Sequence, residues 1–137
     1  METTHTKYLG ELRTHITHMA SGTEILTDAP VDNHGRGEAF SPTDMLATSL
    51  TSCMLTIMAI AAETYKFSME GVTAKTTKVM LDNPRRVGTV KIELFFPHNQ
   101  YDQKQKTVIE YASKNCPVAL SLHPEIKQEV IIHYAEK

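Results

Sequence analysis

The sequence predicts an α+β fold in which antiparallel sheets wrap a long, buried central helix. Three observations lead to this prediction. The stretch from Met45 to Ala62 contains no charged side chain, as expected of a helix surrounded by protein. Segments in which apolar and polar residues alternate, the pattern of half-buried strands, lie on both sides of it. The chain of 137 residues has the length of one domain, and residues 1–137 are predicted to form a single domain.

The first elements are two predicted strands, followed by a loop. Tyr8 to His18 is the first strand, Thr23 to Asp28 is the second, and Ser21-Gly22 is the turn between them. The segment from Ala29 to Ala39 contains a proline, an asparagine and two glycines, which is typical of a loop.

The central helix has a well-marked predicted start at Ser41-Pro42-Thr43-Asp44. A hydroxyl stands at the N-cap, a proline at the first helical position and a carboxylate at the third, which together form a capping box. The helix is predicted to end at about Tyr65. Several of its apolar residues share one stripe, and others cover much of the remaining surface. The stripe consists of Leu46, Leu50, Cys53, Ile57 and Ile60.

A helix that is apolar on most sides is normally buried on most sides. The chain is short for covering such a helix alone, so a sheet and a second subunit are expected to cover it. The same stretch has nearly the length of a membrane span, but it carries five hydroxyl side chains and is bounded by Asp44 and Glu63. These features favour a helix buried in protein over one that crosses a membrane.

The second half of the chain predicts a hairpin and a second helix. Gly71 to Leu81 and Val90 to Phe96 are the strands, and Asp82 to Arg85 is the turn between them. Tyr101 to Lys114 reads as a more polar helix. A short helical segment then starts at Asn115-Cys116-Pro117, because proline suits a first helical position.

That short helix is predicted to end at His123-Pro124, and Ile126 to Tyr134 alternates as a final strand. The element order is therefore β-β-α-β-β-α-α-β, an α+β chain with antiparallel pairing.

Composition excludes several classes of function. The net charge is −2 and there is no basic cluster, so neither a nucleic acid nor an anionic membrane is an expected partner. The polar N-terminus has no apolar signal segment, which predicts a cytoplasmic protein whose two cysteines are thiols. His15 and His18 would point to opposite faces of a strand, and no zinc-ligand spacing occurs. The sequence therefore predicts no metal and no cofactor.

The two cysteines each allow two interpretations. Cys53 lies too far into its helix for the helix dipole to act on it, so it is either a small core residue or a reactive thiol beside a cation. Cys116 lies at a helix start, where unpaired backbone N–H groups stabilise a thiolate, but it can equally serve in packing. The residues alone leave both alternatives open.

Two segments resemble the motifs of the OsmC/Ohr family of osmotically inducible and organic hydroperoxide resistance proteins. In Phe40 to Leu46, followed by Ser52-Cys53, a proline and an acidic residue precede a Leu/Ala-rich run, and a small residue precedes the first cysteine. In Asn115 to Ala119, a cysteine is followed by proline and small residues. The order and interval of the motifs and the order of the elements also resemble the family.

The resemblance implies an OsmC-like fold, an intertwined homodimer with the two central helices side by side. It also implies a thiol peroxidase whose small-molecule substrate is an organic hydroperoxide. Cys53 would attack the peroxide as a thiolate, and the resulting sulfenic acid would condense with Cys116. A dithiol reductant of the lipoyl type would then reopen the disulfide.

In the hydroperoxidase branch of the family, an arginine from the N-terminal strands holds the thiolate. Arg13 is the one arginine in those predicted strands and is therefore the candidate, with a solvent-facing strand residue as the alternative. Arg36, on a loop expected to be mobile, is the reserve.

The sequence departs from that branch at the start of the helix. The branch has a glutamate directly after the proline, where this chain has Thr43 and then Asp44. A shift of one residue turns a helical side chain by about 100°, and about 15 Å of straight helix separates Thr43 from Cys53. Thr43 and Asp44 are therefore only candidate supporting residues. The departure favours an alternative, a non-enzymatic dimer that binds a small apolar or thiol-reactive ligand in a cysteine-lined interface pocket.

Overall fold

The computed structural model describes residues Met1 to Glu136. The chain forms two compact units, an N-terminal unit from Met1 to Leu46 and a C-terminal unit that begins at Ala47. The predicted single domain extends to Lys137, which lies outside the described residues, and its unity stays a prediction.

The N-terminal unit contains one antiparallel sheet in the order β1-β2-β3, formed by Thr4–Gly10, Arg13–His18 and Glu24–Asp28. The predicted single strand from Tyr8 to His18 is wrong, because a tight turn at Glu11 and Leu12 divides it into β1 and β2. Both turn residues have positive φ, 53° and 63°, a conformation that usually selects glycine or asparagine. Neither residue type is present at these two positions, and the one local signal of the turn is Gly10, which directly precedes them with φ 88°.

The predicted loop after β3 is confirmed, and backbone hydrogen bonds order it around a short 3₁₀ turn, Val31–Asn33. The Gly35 N–H donates to the Pro30 carbonyl at 2.9 Å, and the Gly37 N–H donates to the Ala29 carbonyl at 3.2 Å. A Cβ on Gly35 would lie 1.8 Å from the Ala29 oxygen, so the loop can close only on a residue without a side chain.

Helix α1, Pro42–Tyr65, begins at the predicted residue. The Asp44 N–H donates to the Ser41 hydroxyl, and the Ser41 N–H donates to the Asp44 carboxylate, both at 3.0 Å. This reciprocal pair is the predicted capping box. The helix ends where Lys66 adopts a left-handed conformation with φ 55°, which the helix cannot continue.

The face that α1 buries differs from the predicted stripe. Leu50 is buried as expected, whereas Ile60 is 62% exposed and Cys53 is only half-buried. Instead, the helix buries a neighbouring set of residues. This set comprises Ala47, Leu50, Thr51, Met54, Met58 and Ala62. Because α1 is apolar on most sides, the periodicity did not determine which side faces the sheet. By length and composition α1 would also qualify as a membrane span, a test that core helices of soluble proteins pass as well.

The C-terminal unit contains a second sheet in the order β4-β5-β6, formed by Thr73–Leu81, Arg86–Phe96 and Lys127–Tyr134. Strands β4 and β5 form the predicted antiparallel hairpin. Strands β5 and β6 are parallel, so the expectation of antiparallel pairing throughout is wrong. The chain between them forms α2, Gln103–Ala112, and α3, Pro117–Ser121. This helical crossover returns the chain in the direction of β5, as parallel pairing requires.

The core of this unit lies between α1 and the inner face of the sheet. Leu50, Met54 and Met58 belong to it together with alternate residues of β5 and with Ile109 of α2. The two methionines are completely buried, and their flexible side chains suit them to fill irregular gaps in a core. This packing fixes the position of the helix face that carries Cys53.

Candidate active site

Cys116 is the N-cap residue of α3 and is completely buried. Its sulfur accepts a hydrogen bond from the Ala119 N–H at 3.4 Å, and Pro117 occupies the first helical position as predicted. The thiol thus takes the place that a serine or aspartate oxygen usually has at a helix start.

The electrostatic surroundings of Cys116 favour its neutral thiol form. Burial raises the pKa of the Cys116 thiol, and the neighbouring Cys53 raises it further, whereas the Ala119 N–H acts in the opposite direction. The sequence left open whether the helix start or packing would dominate. In the structure, burial raises the pKa of Cys116 by more than the backbone hydrogen bonds at the start of α3 lower it. Helix α3 has only five residues.

Cys53 is half-buried on α1, and its thiol lies close enough to the Cys116 thiol for a hydrogen bond between them. Both cysteines are free. They are far apart in sequence, and the packing of α3 against α1 brings them together. A pair of this kind, with one accessible and one enclosed sulfur, can form a disulfide when the accessible sulfur is oxidised.

Arg13 lies on β2 and forms a bidentate ion pair with Asp28 of β3. Its Nε donates to Oδ1 at 2.7 Å, and its Nη2 donates to Oδ2 at 2.8 Å. The side chain of Arg13 is 21% exposed, which excludes the alternative of a solvated strand residue. The hydrogen bond to Asp28 raises the pKa of Arg13, so the guanidinium stays charged.

Asp28 is a residue that the sequence interpretation missed. It is completely buried, and the hydrogen bond from Arg13 holds the pKa of its carboxyl below the usual range. The Glu38 N–H also donates to it, at 3.2 Å. The observed β2–β3 register pairs Asp28 with Arg13, whereas a two-residue turn at Ser21-Gly22 would have placed Asp28 opposite His15, so the predicted turn did not reveal this pair.

The other candidate residues have local roles in the N-terminal unit. Arg36 forms an ion pair with Glu11, which anchors the loop that was expected to be mobile. Asp44 caps α1, and the Thr43 hydroxyl lies 3.3 Å from the Ser41 hydroxyl. A supporting role for these residues stays a prediction.

Within the described residues, no group of three or more histidine, cysteine, aspartate or glutamate side chains is arranged to hold a metal ion.

Comparisons with known proteins agree with this fold. The family model of OsmC-like proteins matches residues 35–130. A structure from Psychrobacter arcticus, provisionally assigned as an osmotic stress induced and detoxification response protein, is 52% identical. It superposes with a TM-score of 0.92 over 97% of this chain and 96% of that one. No curated protein matches the sequence significantly.

More distant structures share the fold. An organic hydroperoxide resistance protein OsmC from Legionella pneumophila is 16% identical, with a TM-score of 0.71 over 96% of this chain and 97% of that one. An organic hydroperoxide resistance protein from Elizabethkingia anophelis, with thiocyanate bound, is also 16% identical. Its TM-score is 0.73 over 98% of both chains.

Proposed function

Because the chain belongs to the family of OsmC-like proteins, we propose that it is a thiol peroxidase that reduces organic hydroperoxides. The observation that carries the proposal is the contact between the half-buried Cys53 thiol and the enclosed Cys116 thiol. The names of two structures with the same fold, both organic hydroperoxide resistance proteins, support it.

In the proposed reaction, the Cys53 thiolate attacks the outer oxygen of the hydroperoxide. A sulfur–oxygen bond forms, the oxygen–oxygen bond breaks, and the alkoxide leaves as an alcohol after taking up a proton. The oxidised sulfur is now a sulfenic acid. Cys116 then attacks this sulfur, and a disulfide and one water molecule result. An external dithiol reduces the disulfide and becomes a disulfide itself, which restores both thiols.

The exposure of the two sulfurs supports this assignment of roles. An oxidant from solvent meets Cys53 first, because Cys116 has no exposed surface. The apolar surroundings of Cys53 suit a hydroperoxide with an organic group, since Leu50, Met54 and Ile57 flank it on α1. For Arg13 we retain the proposed role of partner to the thiolate, which the family resemblance implies.

The test is the loss of free thiols after addition of cumene hydroperoxide, with hydrogen peroxide for comparison. The wild type should lose two thiols for each peroxide consumed and form a Cys53–Cys116 cross-link that mass spectrometry detects. Cys53→Ser should lose none. Cys116→Ser should lose one and leave a sulfenic acid on Cys53 that dimedone traps. Equal peroxide consumption by wild type and Cys53→Ser would contradict the proposal.

One observation favours a second candidate function. Burial raises the pKa of Cys116, which slows an attack that needs its thiolate. A protein that binds a small apolar or thiol-reactive ligand without turnover needs no such attack. In that case an electrophile would modify Cys53 once, and peroxide would give sulfinic or sulfonic acid instead of the cross-link.

We also propose that the active form is a homodimer in the cytoplasm. A single chain leaves large apolar side chains on α1, α2 and α3 exposed: Ile60 at 62%, Tyr111 at 69% and Leu120 at 71%. Surfaces of this kind usually mark an interface. Sedimentation of a stable monomer at micromolar concentration would contradict the dimer. A reducing compartment suits the proposed cycle, because it regenerates the thiols.

A further inference from the structure

A polar cavity of about 630 Å³ lies on the sheet of the N-terminal unit, beside β1 and β2. Every described residue that lines it is polar or charged, and Glu2, His5, Lys7, His15 and Thr17 are among them. Cavities of this size hold small molecules, and a lining without apolar side chains favours a charged one. None of the residues with a role in the proposed peroxidase reaction belongs to the lining, so that reaction does not account for the cavity.

The register of β1 and β2 brings the basic side chains of the cavity together on one face of the sheet. His5 pairs with Thr17, and Lys7 pairs with His15. Paired residues of antiparallel strands share a face, as do residues two apart along a strand, and the Cβ atoms of such pairs lie about 4.5–5.5 Å apart. The four side chains therefore form one continuous patch that a single small ligand can contact.

The carboxylates near this patch lie at its ends and leave its centre positive. His5 Nε2 contacts the Glu2 carboxylate, and His15 Nε2 lies 3.5 Å from the Glu24 carboxylate. Among the described residues, the Lys7 ammonium has no ion-pair partner. When His15 is protonated, it and Lys7 are like charges directly opposite each other, which destabilises a strand pair. An anion bound between them would remove this repulsion.

The remaining charged groups on this face do not neutralise the patch. Arg13 and Asp28 form the next row of the face, and their bidentate pair uses the charge of each for the other. The side chains of Glu2 and Glu24 are 70% and 63% exposed. Solvent and salt therefore screen these two carboxylates.

We propose that this cavity binds a phosphomonoester dianion of a small molecule, held between Lys7 and the imidazoles of His5 and His15. Lysine supplies a permanent charge, and each imidazole adds a charge when it is protonated. The Thr17 hydroxyl, which has no hydrogen-bond partner among the described residues, supplies a further donor. A tetrahedral phosphate group has three terminal oxygens to accept from these donors, whereas a carboxylate has two. The inference does not depend on the proposed peroxidase function.

The test follows the histidine C2–H signals in proton NMR while sulfate or phenyl phosphate is added at constant ionic strength. Of the seven histidines, His5 and His15 should shift most, and His5→Gln and His15→Gln assign their signals. Sulfate stays a dianion between about pH 6 and pH 8, so a change in its affinity reports on the protein. We expect that affinity to fall at least about fivefold over this range, as both imidazoles lose their charge.

Phenyl phosphate tests the class of ligand. It should shift the same two signals as sulfate and compete with it, because both dianions would occupy the same donors. If phenyl phosphate leaves the two signals unchanged, the assignment to a phosphomonoester is wrong. A sulfate affinity that is equal at about pH 6 and pH 8, or equal shifts of all seven histidines, would overturn the inference as well.

Lys7→Gln and Lys127→Gln form a matched pair of variants. Both remove one positive charge from an exposed strand lysine, but Lys127 lies on β6 and pairs with Glu129. Lys7→Gln should weaken sulfate binding at least about threefold, and Lys127→Gln should change it less than about 1.5-fold. His18→Gln is a second control, because His18 lies on the opposite face of β2 from His15. Equal effects of Lys7→Gln and Lys127→Gln would reduce the binding to net charge and refute the site.

Discussion

Tyr134 offers a quantitative test of the packing between β6 and α2. Its ring lies 5.3 Å from the Phe96 ring and 5.7 Å from the Tyr101 ring, and Lys106 Nζ lies 4.7 Å above it. Its hydroxyl is buried and has no hydrogen-bond partner among the described residues. A buried, unsatisfied polar group destabilises a protein by about 1–3 kcal/mol. Tyr134→Phe removes that group and keeps the ring, so we expect a gain of about 1 kcal/mol in the free energy of unfolding.

Thermal denaturation measures this gain, which should raise Tm by about 3–5 °C. Tyr101→Phe is the matched control with the opposite sign, because the Tyr101 hydroxyl donates to the Ser68 carbonyl at 3.3 Å. Its removal should lower the stability by about 0.5–1.5 kcal/mol. If Tyr134→Phe destabilises the protein as much as Tyr101→Phe does, the Tyr134 hydroxyl has a partner in solution and the reasoning is refuted.

The same residue predicts a pH dependence. Burial, with smaller effects of Glu110 and Tyr101, raises the pKa of Tyr134 to about 12. A raised phenol pKa contributes stability that is complete below the unfolded value of about 10 and is lost as the pH rises towards 12. The advantage of Tyr134→Phe over wild type should therefore widen above about pH 10. A constant difference between pH 9 and pH 11.5, followed by circular dichroism, would contradict it.

Three further predictions concern the cap, the loop and the thiols. Ser41→Ala removes the acceptor of the Asp44 N–H and should destabilise the protein by about 1 kcal/mol in urea denaturation, and an unchanged midpoint would count against the cap. Gly35→Ala places a Cβ against a backbone carbonyl, so we expect a lower Tm than wild type, whereas an equal Tm would mean that the loop rearranges at no cost. In the folded protein, iodoacetamide should modify Cys53 faster than the buried Cys116, and in urea it should modify both thiols. Faster labelling of Cys116 in the folded protein would show that Cys116 is not buried.

The start of α1 was predicted to the residue because its determinants are local. The cap consists of hydrogen bonds between Ser41 and Asp44, three residues apart, and any chain with this segment can form them. The hairpin of β4 and β5 was predicted for a similar reason, since a turn and two alternating segments define it. The start of α3 at Pro117 follows from the fixed φ of proline.

The turn at Glu11 and Leu12 shows where local signals end. Neither residue prefers a positive φ, so pairing of β1 with β2 imposes the conformation on them. The parallel pairing of β5 with β6 likewise depends on where α2 and α3 carry the chain. Both features depend on contacts between separate segments of the chain, and the pattern of residues within one segment does not reveal such contacts.

The sequence by itself determined the family, the two cysteines and most element boundaries, because these depend on motifs and on short-range hydrogen bonds. The contact of Cys53 with Cys116, and the balance that keeps Cys116 a thiol, depended on the tertiary structure. So did the burial of Asp28 beneath Arg13. Desolvation is a property of the complete surroundings of a group, and those surroundings form only when distant segments pack together.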